Sequence, residues 1–447
     1  MIPSHVDRDI LTAIARSQLQ QRPILTGITL PVEPSANPPL GDFYWSSPRE
    51  VLIAEGQEIT ILTPPGRDRF YRIKQALKYW QESSWGNPHF IGGFSFYDYP
   101  DHSYPPSLFY VPQWLWRKVG DQVTWTVNVV IQPTSELPQI RQTIIDRYGN
   151  LQPQTLSQQK LPPVLSISEQ MGQFSWAIAV QKALQLIQQG KLQKLVLARV
   201  LDIETADAIP LPLVLHRLQT NYPNCTTFCF RLLPQSHLIG ASPELLLRSQ
   251  FRGNRLFIET LALAGSIPTS NSPTTDHLLG VELLNSPKDL QEHQIVIRSI
   301  SQALTKMQAD IAPLGAPRIM SLANVQHLCT PITASIPTAD PLDIFDLMAE
   351  LHPTAAMAGY PKELSLPLIQ TYEPSDRGWY AAPLGWLDSQ GNAEFVVSIR
   401  SALISANKAR LFAGAGIIAN SDIEQEIRET NAKFTPILQA LGIQPFL

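Results

Sequence analysis

Apolar positions recur along this chain with two periods, and the switches between them outline its elements. Strict alternation over 57–62 and 123–131 predicts strands. Between them Phe70, Ile73, Leu77 and Trp80 share one face, which predicts a helix over 67–81. Residues 91–96 read as a strand whose Gly92 and Gly93 permit close backbone approach. A helix over 136–148 is followed by a spacer, 152–163, rich in Pro and Gln, which predicts a boundary between residues 1–165 and 166–447. Beyond it Trp176, Val180, Leu184 and Ile187 form a helical stripe, with Ser175 as the expected N-cap and Gly190 as the stop.

The rest of the pattern is mostly hairpins. Strands 226–233 and 237–241 turn through Pro-Gln-Ser, and a second hairpin turns at Gly253-Asn254 and returns over 256–260. Helices are predicted over 276–284 and 287–306. Strands 379–388 and 394–404 form a third hairpin turning at 389–392. A last strand, 409–413, leads into a Gly-Ala-Gly loop and a terminal helix. Hairpins mixed with helices predict an α+β fold with largely antiparallel sheets.

Composition narrows the function. Of 447 residues 44% are hydrophobic, enough for a sizeable core, and only 16% are charged, against roughly 25% in an average globular protein. A net charge of −4 leaves no electrostatic footprint for nucleic acid or an anionic membrane. Three cysteines, Cys225, Cys229 and Cys329, suggest reduced thiols. No leader-like N-terminus and no apolar run of membrane length is visible, so a cytoplasmic protein is expected.

Several ionisable residues sit where an apolar segment would not want them. Lys194 opens the run Lys-Leu-Val-Leu-Ala-Arg, where Val196 and Ala198 share its face and favour a neutral amine. Glu244 follows a Ser-Pro turn and precedes three leucines, and burial would keep its carboxyl protonated. Such a pair makes an acid–base couple, although an isolated lysine can equally snorkel to water and an isolated turn glutamate can cap a backbone N–H. Glu292 and Glu429 lie on helices with capping-box starts at Ser286 and Ser421. Each reads either as a solvated helix charge or as one of two carboxylates converging on Mg²⁺. Lys433, four residues after Glu429, reads as a surface pair or as an anion-binding ammonium. Gly414, Ala415 and Gly416 would turn backbone N–H groups toward an anion. Arg400, at the end of the strand starting at 394, suits a bidentate grip on a carboxylate, with Tyr380 and His327 as polar contacts.

These segments resemble the chorismate-utilising enzymes and, within them, the isochorismate synthases. The resemblance rests on Lys-Leu-Val-Leu-Ala-Arg (194–199), Gly-Ala-Ser-Pro-Glu-Leu-Leu (240–246), Lys-Asp-Leu-Gln-Glu-His (288–293) and His-Pro-Thr (352–354). It continues through Arg-Gly-Trp-Tyr (377–380), Ile-Arg-Ser-Ala (399–402), Gly-Ala-Gly-Ile (414–417) and Glu-Thr-Asn-Ala-Lys (429–433). It implies two packed antiparallel sheets with helices outside, residues 1–165 completing the fold and 166–447 forming the chorismate-binding catalytic region. It implies Lys194 as the base that activates water and Glu244 as the acid that protonates the departing hydroxyl. Glu292 and Glu429 match Mg²⁺ ligands. Arg400, Lys433, Tyr380, the 414–416 backbone and His327 match the substrate pocket.

The implied reaction adds water at C2 of chorismate with loss of the C4 hydroxyl. Lys194 and the 352–359 segment separate the chain from the ammonia-using relatives, and no glutamine amidotransferase subunit is expected. Salicylate synthase and a non-catalytic chorismate-binding protein are the alternatives. Quinone synthesis (menaquinone or phylloquinone) and salicylate or siderophore supply are all compatible with such a product. Ala382 stands where many relatives have Gly, and it is expected to narrow the pocket floor.

Overall fold

The computed structural model describes residues 4–31, 40–101, 103–149, 160–270 and 272–445. Two large sheets of 13 and 10 strands pack together, with ten α-helices around them among the described residues. All strand pairs are antiparallel except the short one between Ile24–Pro31 and Ser84–Trp85. Phe230 of the larger sheet stacks on Tyr110 of the smaller one and on Trp379, and this aromatic layer seals the two faces. Among the described residues no helix is long and apolar enough to cross a membrane.

Residues before 165 complete both sheets: Phe43–Ser46 pairs with Thr226–Leu233, and His89–Phe94 pairs with Pro383–Asp388. The 165/166 boundary falls inside strand Val164–Glu169, which pairs with the strand carrying Lys194. Most of the 152–163 spacer lies outside the described residues.

Four local expectations need correction. Helix Gln173–Gln188 starts at Gly172, so Ser175 lies inside it and does not cap it. The terminal helix is capped by Asp422, whose side chain accepts from Gln425 N, one residue after the expected Ser421. The stretch 394–404 is two strands: Ala393–Val397 belongs to the smaller sheet and Ser401–Ser405 to the larger. The chain changes sheets at Arg400, whose φ of 51° breaks the alternation that would have placed its side chain. Gly240 permits this crossing, since a Cβ there would lie 2.9 Å from the Arg400 carbonyl oxygen. Finally, Gly414, Ala415 and Gly416 are not a loop but part of strand Lys408–Ile417.

Candidate active site

One pocket gathers side chains from both sheets and two helices. Lys194 and Val196 come from strand Lys194–Thr205, which is the pocket's floor. Glu244 comes from the corner before strand Leu245–Arg252. Glu292 comes from helix Pro287–Lys306, and Glu429 and Lys433 from helix Ile423–Ala440. Arg400, His327 and Tyr380 close the remaining wall. Residues far apart in sequence meet here because the Lys194 strand runs between the terminal strand and the Gly359–Tyr360 strand.

Glu244 is 3% exposed and its backbone carbonyl accepts from Val397 N, which fixes the corner. Burial pushes its carboxyl up to about 8; the cations Lys194, Lys433 and Arg400 oppose this without cancelling it. Among the described residues no ion pair closes on it. Lys194 is 1% exposed, and its Nζ lies 2.7 Å from Glu292 Oε1. Its surroundings are therefore not the wholly apolar ones that Val196 and Ala198 suggested: a carboxylate from a helix 98 positions away in sequence faces it. Gly416 makes room for this pair, since a Cβ there would lie 2.5 Å from Glu292 Oε1 and 2.7 Å from Lys194 Cε.

Lys433 pairs with Glu429 and donates to the Gly414 carbonyl at 2.8 Å. The Tyr380 hydroxyl lies beside Gly414, 3.3 Å from where a Cβ there would sit. Within the strand the Gly414 N–H points the same way as its carbonyl, and Gly416, two residues on, turns its own polar groups to that side too. On this side strand Ser401–Ser405 covers the terminal strand over Lys408–Leu411 and no further, so among the described residues no strand lies beside Gly414 and Gly416 there. Ala415 points its backbone to the other side, against Leu197, and does not line the pocket. These backbone groups therefore belong to an unpaired strand edge rather than a loop. Tyr380 stacks on Phe412 with ring centroids 4.9 Å apart, and burial pushes its hydroxyl up to about 12. Ala382 lies outside the pocket, with its N–H donating to Ser398 Oγ; Ala381, at φ 59°, lines the floor instead.

Sequence reasoning missed three residues. Glu426 lies one turn before Glu429, fully buried and 2.9 Å from Lys288. Burial first, and then Glu429, push its carboxyl up to about 7, and its Oε2 has no hydrogen-bond partner. Burial raises Glu429 too, but Lys433, together with Lys288 and Ser266, outweighs it and holds that carboxyl below its ordinary value. The i,i+3 spacing of 426 and 429 was the available signal. Arg377 and Glu373 form a fully buried pair behind the floor. Arg377 Nη2 donates to the Val196 carbonyl at 3.0 Å and Glu373 accepts from Ala198 N at 2.8 Å, so the pair substitutes for a missing strand beside the lysine.

A divalent hard cation fits these residues. Glu292 and Glu429 open into one pocket, and Glu426 holds an orphaned carboxylate oxygen behind them. Among the described residues no cluster of three ligating side chains is already assembled. Substrate oxygens and waters would have to complete such a shell.

The fold thus brings a buried lysine and a carboxyl group raised by burial into one pocket between the two sheets. The chain belongs to the chorismate binding enzymes, whose family profile matches residues 32–442. It is 31% identical over 421 residues to the isochorismate synthase MenF of Bacillus subtilis, covering 90% of this chain and 88% of that protein. The structure of MenF, the menaquinone-specific isochorismate synthase from Escherichia coli, superposes with a TM-score of 0.77 at 25% identity, over 97% of this chain and 100% of that one. Anthranilate synthase component I from Streptococcus pneumoniae shares the fold, with a TM-score of 0.70 at 18% identity over 87% of this chain and 92% of that one.

Proposed function

We propose that this protein converts chorismate to isochorismate in an Mg²⁺-dependent reaction. The observation that carries the reading is Glu244: a carboxyl group still protonated near neutral pH, in the same pocket as a buried lysine. Arg400, Lys433 and the Gly414–Gly416 strand edge hold the two substrate carboxylates, with Tyr380 beside them. Lys194, once its own ammonium proton has passed to solvent, takes a proton from water as its oxygen bonds to C2. The ring double bonds shift, the C4–O bond breaks, and Glu244 gives its proton to the leaving hydroxyl. One water enters and one leaves, so the product is an isomer. Lys194 gains the proton that Glu244 loses, and solvent resets both. Glu292 and Glu429, with Glu426 behind them, would hold Mg²⁺, which would supply positive charge against a substrate carboxylate. Positioning accounts for much of the rate.

The test is to incubate purified protein with chorismate, with and without Mg²⁺ and chelator, and identify products by chromatography. Isochorismate formed only with the metal is the expected result. Salicylate and pyruvate appearing without a partner enzyme would instead make this a salicylate synthase, and unchanged chorismate would make it a binding protein.

A further inference from the structure

His327 lines the pocket, yet its ring is engaged elsewhere. Arg400 Nη2 lies 3.1 Å from His327 Nε2. A guanidinium only donates, so Nε2 is the accepting nitrogen and the ring proton sits on Nδ1. Nε2 is thereby committed to Arg400 and is not left for a substrate.

Beside His327, strand Arg255–Pro268 bulges at Gly265. Leu263 faces Cys329 and Ser266 faces His327, so three steps on one strand match two on the other. Gly265 takes a φ of 78° at this point. A Cβ there would lie 3.0 Å from Asp289 Cβ, on the helix that carries Glu292. On the other side, Arg400 is 5% exposed and sits where the chain crosses between sheets. Among the described residues no carboxylate pairs with it, and His327 is the side chain that accepts from its guanidinium. Burial, Arg400 and Lys433 all hold His327 well below its ordinary value, so the acceptor stays neutral.

We infer that His327 is a positioning residue: its imidazole, on the strand that faces the Gly265 bulge, accepts a hydrogen bond from Arg400 and aims the guanidinium fork at a substrate carboxylate. This rests on the proposed chorismate pocket. An Arg held only by its backbone would sweep several rotamers, and the bidentate grip would lose its preorganisation.

The experiment compares His327→Gln, which keeps one acceptor and one donor, with His327→Leu, which keeps neither. Because the grip acts on bound substrate and transition state alike, His327→Leu should raise KM for chorismate about 10–100-fold with kcat within about threefold. His327→Gln should restore KM to within about fivefold of wild type, by the same hydrogen-bond logic. In an Arg400→Met background, His327→Leu should add less than about twofold, since its partner is gone. A fall in kcat at unchanged KM would place His327 on the reacting atoms and overturn the inference. So would equal losses in the Gln and Leu variants, or additive losses in the double variant. If His327→Leu does not fold, ¹⁵N-histidine NMR of the wild-type protein decides, with the resonance assigned by His327→Gln. A neutral ring protonated at Nδ1 is expected, and an Nε2–H tautomer or an imidazolium would overturn the proposal. Wild-type protein that leaves chorismate untouched would sink the functional reading, while the NMR would still test the His327–Arg400 contact.

Discussion

Two of the clefts among the described residues bury charge in different ways. The second is lined by Arg49, Glu50, Arg117, Arg248 and Glu394, drawn from both sheets. There each glutamate has its guanidinium, Glu50 with Arg117 at 2.7 Å and Glu394 with Arg248 at 2.8 Å, while neighbouring Glu259 is shared by Arg248 at 2.7 Å and Arg49 at 3.1 Å and Asp388 is held by the Asn87 and Asn392 amides. In the first pocket Glu292, Glu429 and Glu426 are each matched by a lysine, but Glu244 and Arg400 have no opposite charge in contact among the described residues. Burial of charge alone is therefore not the functional mark. A closed network is a structural solution to desolvation. A buried acid and a buried guanidinium left without such partners are a cost to stability that substrate binding and chemistry can repay.

The contrast can be broken by mutation. Lys194→Ala should lower turnover of chorismate by about 10²–10⁴-fold, the range of general acid–base catalysis, while calorimetry still detects chorismate binding; unchanged turnover would remove Lys194 from the chemistry. Glu244→Gln should cost a similar factor in kcat, because an amide cannot give up the proton.

Next comes the pH profile. A group that works protonated and titrates at about 8 should make wild-type activity fall as pH rises through about 8. The linked effect on stability has a definite sign. The folded value lies above the ordinary 4.5, so the native state holds a proton that the unfolded chain has lost. Stability then declines as pH rises from about 4.5 to about 8 and levels off beyond. The melting temperature of Glu244→Gln relative to wild type should rise across that window; a constant difference would show that the carboxyl is not desolvated.

The smallest effect on activity belongs to the other cleft. Glu394→Gln leaves Arg248 with one fewer partner in a buried network. It should cost stability, up to about 3–5 kcal/mol by denaturant unfolding if the pair is as closed as a fully buried one, with kcat/KM within about twofold of wild type. A large catalytic loss there would erase the distinction between the two clefts.

Much of the site was legible because its residues violate local rules. Lys194 opens a run of apolar positions, and Glu244 precedes three leucines. Helix Pro287–Lys306 was legible too, since Ser286 does cap it. Arg400 was recognised as a residue, but the change of sheets at it was not, because alternation assumes a continuous strand and a positive φ interrupts it. The Gly-Ala-Gly segment was misread as a loop for a related reason: glycine signals permissiveness, and here the freedom is used for space beside Lys194 rather than for a turn.

Local chemistry along the chain determined which segments alternate, where helices begin, and which ionisable groups sit in apolar surroundings, because those properties depend on neighbours within a few residues. Tertiary structure alone decided that Glu292 faces Lys194, that among the described residues no strand lies beside the Gly414–Gly416 edge, and that Arg377 and Glu373 stand in for one behind the floor. Those are contacts between groups up to 181 positions apart. Their energies depend on distance and desolvation, which no local pattern encodes.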